Sequence, residues 1–430
     1  MKTVSLESLG CRLNISETGT LAKSFVDNGY KIIPFGKSAD VTLINTCTVT
    51  ARAEAACRNL IRKARRISPD GKIIIIGCYA QISSDEIVKN MDVDLILGSF
   101  EKGRVFKFLQ QSEMADIKEI IVETSKNDFF FQAATTIDDF HTRAFLKIQD
   151  GCDYVCSYCI IPYARGQSRS LAGYDVLKTA KKLINNGFKE IVLTGVNISD
   201  YRGDGKENLL NLVKQMIGLQ SLERLRLSSL EPNIIDESFL KILKSSSKIM
   251  DHFHLSLQSG DDRILKLMRR RYLVSDFKQA VELVKKYFPN AGIGIDVIVG
   301  FPGENEESFG NTLKLLQKLP LTHFHIFPYS KRKGTSSFKL ESTVDSKTVK
   351  KWVKMLIDLG NLKLNDFHQG FIDKEMDVLF EKRVGKDFEG FSSNYLKVKV
   401  KARDNQDLKN QIGRVLITSF ENGCLRGQLN

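Results

Sequence analysis

Short apolar runs alternate twice over with amphipathic stretches, and this constrains the fold more than anything else in the sequence. Residues 3–9, 41–46, 72–77 and 95–97 have the length and composition of strands, while 14–27, 50–67 and 83–90 carry helical periodicity. Strands separated by helices run parallel, so this part predicts an open, doubly wound sheet with helices on both faces. A second alternation starts at Arg143, with strands expected over 144–149, 190–194, 224–230, 253–258, 294–299 and 323–327. Six βα units of this kind make a full or partial barrel of roughly 230 residues, with its site at the C-terminal ends of the strands. After about Phe371 the pattern changes to short alternating strands over 375–380, 395–400 and 413–419, which predicts a small β-barrel. The stretch 123–142, with Phe129, Phe130 and Phe131, has neither period and is expected to link domains. The expected division is therefore α/β throughout residues 1–135 and 136–370, followed by a β-barrel over 371–430.

Composition narrows the partners. The formal net charge of +13 favours a polyanion, with nucleic acid the commonest kind. The longest apolar runs, such as 73–77, fall far short of the roughly 18 residues that a membrane span needs, and the N-terminus lacks an export pattern. No membrane association is expected, and the chain reads as cytoplasmic. Its eight cysteines are then expected to be reduced thiols or metal ligands, not a disulfide framework.

Six of those cysteines fall where ligands are held. Cys152, Cys156 and Cys159 form a C-x3-C-x2-C run directly after the first barrel strand. Three thiolates on one short loop can hold three irons of a four-iron cluster and leave the fourth iron open. Zinc competes with this reading, but structural zinc takes four ligands and no fourth Cys or His lies nearby in sequence; an accidental grouping of buried thiols is the plainer alternative. Cys11, Cys47 and Cys78 each follow the end of an expected parallel strand. In a doubly wound sheet those ends share one edge, so the three thiols can converge there. Otherwise they are small residues tolerated in tight turns. Cys57 shares a helical apolar face with Ala53, Leu60, Ile61 and Ala64, which assigns it to packing, and Cys424 has no partner.

The helix that carries Cys57 presents Arg58, Arg62, Arg65 and Arg66 on its other side, with Arg52 and Lys63 flanking. This stripe suits a phosphate backbone, although a solvated face explains such runs equally well. In the C-terminal segment Lys397, Lys399, Lys401 and Arg403 alternate and so share one strand face, again as candidate phosphate contacts.

The segment DGCDYVCSYCIIPYARGQSRS, residues 150–170, resembles the radical S-adenosylmethionine (SAM) superfamily, and its methylthiotransferases in particular. Further similarity falls at successive strand ends: residues 194–197 (TGVN), 228–232 (SSLEP), 257–260 (LQSG), Asp296, and 300–304 (GFPGE). The resemblance implies two [4Fe-4S] clusters, one on each cysteine trio, with SAM completing the open iron of the barrel cluster. It implies cofactor contacts for Tyr158, Thr194, Gly195, Ser229, Glu231, Gln258 and Asp296. Residues from about Phe371 resemble a TRAM domain, an RNA-binding appendage of tRNA-modifying enzymes. In such enzymes an electron from the first cluster cleaves SAM, the resulting radical takes a hydrogen from the substrate, and sulfur at the second cluster is transferred. An electron donor such as flavodoxin or ferredoxin is implied as a partner beside tRNA.

Within the family, residues 8–11 (SLGC), 45–50 (NTCTVT) and 194–197 look most like the subfamily that methylthiolates threonylcarbamoyladenosine beside the tRNA anticodon. Relatives acting on isopentenyladenosine or on a ribosomal protein share the cysteines. A two-cluster, RNA-binding redox sensor without modifying activity is the rival from another class. The carboxylate on a threonylcarbamoyl group requires a cationic partner, for which Arg165 and Arg169 are the candidates nearest the cluster loop; ordinary salt bridges within the barrel are the equal alternative for both.

Overall fold

The computed structural model describes residues 1–115, 119–123, 130–134, 142–205, 207–401 and 406–429. The first unit contains the strands β1 (Thr3–Ser8), β2 (Lys31–Ile32), β3 (Val41–Thr46), β4 (Lys72–Gly77), β5 (Leu95–Leu97) and β6 (Glu119–Ile121). They form one parallel sheet in the order β2-β1-β3-β4-β5-β6. The four consecutive isoleucines of β4 are wholly buried, because a parallel sheet is covered on both faces. On one face α1 (Arg12–Asp27) and α4 (Val105–Ala115) bury Leu21, Phe25, Val105 and Leu109. On the other, α2 (Ala51–Ile67) and α3 (Cys78–Asn90) bury Cys57, Ile61, Ala64 and Tyr79. The doubly wound sheet is therefore the expected one, with β2, β6 and α4 added. Two residues suffice for β2, too few to leave a periodic signal. Helix α3 starts five residues before the expected Ser83 because Ser83 itself has non-helical backbone, a break that hides the first turn from a periodicity argument.

The chain passes from β1 outward to β2 and then returns to the other side of β1 to form β3. That reversal leaves a crevice beyond the ends of β1 and β3, where folds of this type bind ligands.

The second unit is a partial barrel. Strands Arg143–Lys147, Glu190–Thr194 and Arg224–Leu227 make one parallel sheet. Strands His252–Gln258, Gly292–Val299 and His323–Pro328 make another. Isolated parallel bridges, Leu225 with Ile249 and Leu230 with Leu255, join the two into one curved wall. Its outward residues, such as Leu193, Leu225, Leu255 and Ile295, form the core beneath the surrounding helices. The inward residues are strongly polar: Arg143, Lys147, Glu190, Arg224, Arg226, His252 and His254 are all turned from that core and yet mostly buried.

The C-terminal unit is a closed five-stranded barrel of Glu375–Val384, Asp387–Ser392, Lys397–Lys401, Ile412–Glu421 and Cys424–Leu429. Three strands were expected; in the other two, DFEGFS and CLRGQL, Gly390 and Gly427 interrupt the apolar row. This barrel covers the strand-start end of the partial barrel. Arg224 donates to the carbonyls of Phe391 and Asp377, Arg226 to those of Ser393 and Ser392, and Arg143 to Glu381. Tyr395 enters the lumen itself. Its ring lies 4.7 Å from that of His252 and 4.9 Å from that of Phe391, with the guanidinium groups of Arg226, Arg143 and Arg12 at 4.9, 5.3 and 5.8 Å. Arg12 also donates to the Tyr395 hydroxyl, so one side chain touches all three units.

Of the stretch expected to link domains, Phe129 lies outside the described residues. Phe130 packs on the partial barrel's core and Phe131 on that of the first unit. Thr20 and the backbone of Ala134 exchange two hydrogen bonds of 3.0 Å, which pins this connection to α1.

Removing the Tyr395 ring should cost about 3 kcal/mol of stability, the low end of the range for deleting a buried aromatic because the ring is only partly buried, and it leaves three arginines without the face they pack on. Tyr395→Phe, which keeps the ring, should cost only about 1 kcal/mol. Chemical denaturation of the two variants checks this: equal small losses would show that the ring does not tie the units together.

Candidate functional site

Each cysteine trio is shaped by glycine. Gly10, Gly77 and Gly151 directly precede Cys11, Cys78 and Cys152, and all three have positive φ, which L side chains rarely adopt. At Gly10 a Cβ would also stand 2.8 Å from the Cys47 Sγ, so only glycine lets these two cysteine turns approach. Asn14 fastens them further, donating to the carbonyls of Leu9 at 2.7 Å and Thr46 at 3.1 Å. Cys11 is exposed at the start of α1, whereas Cys47 and Cys78 are buried. Cys57 sits in the core, as its apolar face required, and its thiol hydrogen-bonds the backbone of Cys47.

The barrel trio lies on a loop held from two sides. Ser157 takes hydrogen bonds to Leu267 and Met268 and receives one from Ser337. Gln149 reaches from the loop's base to the backbone N–H of Asn197 at 2.8 Å and to the carbonyl of Gly151 at 2.7 Å, joining the TGVN turn to the cysteine loop. Arg270 donates to the Cys156 Sγ at 3.2 Å, to the Tyr272 hydroxyl and to Glu231.

Burial pushes the Cys47 and Cys159 thiols up to about 12 and that of Cys152 up to about 11. Bare, these thiols are protonated at neutral pH, so a bound metal displaces protons. The all-sulfur donor set of each trio suits iron–sulfur chemistry.

Between the trios lies a buried ionic network. Arg165, six residues after Cys159, donates to the Cys78 Sγ at 3.2 Å, to Glu17 and Asp150 at 2.9 Å each, and to Asn14 at 2.7 Å. Glu17 is also paired with Lys147 at 2.9 Å and with Lys102. Burial alone would raise the Glu17 carboxyl, but Arg165, Lys102 and Lys147 hold it well below the usual range. Arg165 is thus wholly engaged in salt bridges, the second of its two expected roles, and is not free to grip a substrate carboxylate. Arg169 donates instead to the backbone of Arg165 and Gln167. Local sequence does not reveal this network, because the cations that hold Glu17 lie 85, 130 and 148 residues from it.

The remaining candidates are distributed as follows. Tyr158 packs edge-on against Phe301, with ring centroids 6.4 Å apart. Thr194 is buried at its strand end, and Gly195 lies where a Cβ would meet Ile198 and Gln149. Gln258 has φ of 66° at a bulge opposite the strand that carries Asp296. Ser229 lies 2.9 Å from His254 Nδ1, and Asp296 faces His254 and His325. Of the basic stripe, Arg62 and Arg66 are exposed. Arg58 pairs with Glu86 and Tyr79, and Arg65 is tied to the carboxylates of Asp92 and Asp94 and to the backbone carbonyls of Pro69, Gly71 and Asp92. Lys397 and Lys399 both pair with Glu389, whereas Lys401 is exposed. Arg403 lies outside the described residues. Arg332, unremarked in the sequence, bonds Glu54 and Thr48 and so docks the segment after the last barrel strand beside the Cys47 turn.

Arg165→Met should destabilise the protein by about 3–5 kcal/mol, since it leaves buried carboxylates short of a partner. Equilibrium unfolding in urea measures the loss; less than about 1 kcal/mol would mean that Lys102 and Lys147 alone satisfy Glu17 and Asp150.

Comparison with known proteins agrees with this anatomy. Residues 146–316 match the radical SAM superfamily, and residues 3–98 match an uncharacterized protein family, UPF0004. The threonylcarbamoyladenosine tRNA methylthiotransferase MtaB of Aquifex aeolicus is 37% identical over 417 residues, spanning 96% of this chain and 100% of that one. Its namesake from Bacillus subtilis is 35% identical over 429 residues, spanning 97% and 94%. The tRNA-2-methylthio-N(6)-dimethylallyladenosine synthase of Clostridium tetani is 32% identical over 387 residues, spanning 88% and 85%. Among solved structures, the radical SAM methyltransferase TsrM from Kitasatospora setae superposes with a TM-score of 0.53 at 14% identity, covering 76% of this chain and 73% of that one, a likeness of fold alone. Relatedness along nearly the whole chain, on a scaffold that sets two cysteine trios on either side of one buried arginine, places the protein in the methylthiotransferase family of the radical SAM superfamily.

Proposed function

We propose that this enzyme methylthiolates C2 of N6-threonylcarbamoyladenosine at position 37 of tRNA, next to the anticodon. The observation that carries the chemistry is the contact of Arg165 with both the Cys78 thiol and the base of the barrel's cysteine loop, which sets the two trios side by side. The names of relatives matching nearly the full chain support the substrate. We assign one [4Fe-4S] cluster to Cys152, Cys156 and Cys159, as the superfamily implies, and a second to Cys11, Cys47 and Cys78. Bound, these clusters with SAM supply one-electron reduction, hydrogen-atom removal and the sulfur to be transferred.

The chain's own part is to hold and orient. Arg270 links Cys156 to Glu231 and so sets the proposed SAM contact against the cluster loop. Gln149 does the same for the turn at Thr194 and Gly195. Ser229, Gln258 and Tyr158 complete the proposed cofactor contacts. For RNA the exposed Arg62 and Lys401 remain the better phosphate contacts of those expected, because Arg58, Arg65, Lys397 and Lys399 already carry partners. A small one-electron carrier such as flavodoxin or ferredoxin is the proposed reductant.

The substrate reading is tested by anaerobic reaction of the cluster-loaded enzyme with three tRNAs, bearing adenosine, isopentenyladenosine or threonylcarbamoyladenosine at position 37. The expected result is a 2-methylthio nucleoside, seen by mass spectrometry, from the threonylcarbamoyl form alone. Preference for the isopentenyl form would overturn the substrate and leave the chemistry standing.

A further inference from the structure

Inside the partial barrel, three neighbouring strands bring His254, Asp296 and His325 together. Register places Asp296 beside His325, and Gly294 beside His254. A Cβ on Gly294 would lie 2.9 Å from the His254 ring, so the glycine makes the space into which that imidazole leans. His254 Nε2 and His325 Nδ1 approach the same Asp296 oxygen at 3.4 and 3.3 Å. All three ligand atoms lie within 4.8 Å of one another. The two rings are 5.1 Å apart.

These distances are long for hydrogen bonds, which run from about 2.7 to 3.2 Å. They equal the separation of about 3.4 Å between two donors that each stand about 2.1 Å from a shared tetrahedral ion. His254 is 8% exposed, and its buried Nε2 has only the long 3.4 Å approach of the Asp296 carboxylate, with no hydrogen bond of ordinary geometry, where a buried polar atom usually has one. The opposite ring nitrogen faces the Ser229 hydroxyl at 2.9 Å, the arrangement by which an outer group fixes the tautomer of a metal-ligating histidine.

We propose that His254, Asp296 and His325 form a binding site for a divalent first-row cation in the barrel lumen. Two imidazole nitrogens and one carboxylate oxygen suit zinc, iron, cobalt or manganese better than magnesium or calcium. Three protein ligands leave at least one position open. The side chain of His325 is 54% exposed on the edge strand, so that position is accessible to an oxygen donor. The substrate proposed above carries a carboxylate that Arg165 cannot bind; its coordination here rests on that substrate reading, whereas the site itself does not. The assignment makes Asp296 a metal ligand in place of a SAM contact.

Manganese is the probe, because it has little affinity for thiolates and its free form gives a six-line EPR signal. With both clusters in their diamagnetic oxidised state, titrating Mn2+ into the enzyme without substrate should remove the free signal up to one ion per chain. Zinc should compete for that ion. His325→Ala, at a half-exposed edge position, should weaken binding by at least about tenfold while iron content stays unchanged, and Asp296→Asn should do the same. The proposal fails if the native enzyme takes up no Mn2+, or if both variants bind it as tightly as the native chain.

Discussion

The structure depends on one buried arginine and the charges gathered around it. Arg165 leaves the cysteine loop of the barrel, crosses into the first unit, and ends on Glu17, Asn14 and Cys78. Removing such charges from water costs several kcal/mol per ion, so the cluster holds only while every partner is in place. Lys102, Lys147 and Arg165 outnumber Glu17 and Asp150 by one positive charge. That surplus lies against the Cys78 sulfur, which Arg165 contacts directly. The same interaction thus docks two units and fixes the position of one of the two trios.

The partial barrel depends on its neighbours in a second way. Its inner wall is lined with arginine, glutamate and histidine where an independent barrel would be filled with aliphatic side chains. This wall is stable because it is capped: Tyr395 closes the strand starts, and the cysteine loops close the other end. Glu190 and Arg226 pair at 2.7 Å inside that cap, and burial of the Glu190 carboxyl is outweighed by Arg226, which keeps it ionised. A polar lumen is also the surface on which His254, Asp296 and His325 meet.

The sequence made the fold classes of all three units legible, because strand length, helical period and the change of pattern after Phe371 are local signals. The placement of the cysteines at strand ends was legible for the same reason, whereas the positive φ of the glycines before Cys11, Cys78 and Cys152 emerged only from the structure. The short strands Lys31–Ile32 and Glu119–Ile121 were not legible, being too brief to show a period. What escaped altogether were roles set by distant partners. For Arg165 the sequence leaves a substrate grip and a salt bridge equally open, because nothing local shows that Glu17, 148 residues away, already holds it. Arg270, 114 residues from Cys156, gave no signal at all, and neither did the pairing of Arg65 with Asp92 and Asp94. In each case the side chain's charge was plain and its counter-charge was not.

The central claim is that the two trios carry separate iron–sulfur clusters facing one another across Arg165. Low-temperature EPR of the dithionite-reduced protein tests this most directly, with Cys47→Ala and Cys156→Ala each expected to retain one cluster. The account predicts that each variant shows a simple spectrum of a single reduced cluster, and that the native protein shows splitting or broadening absent from their sum, because neighbouring spins couple. A native spectrum equal to that sum, or a variant that loses both clusters while still folded, would contradict it.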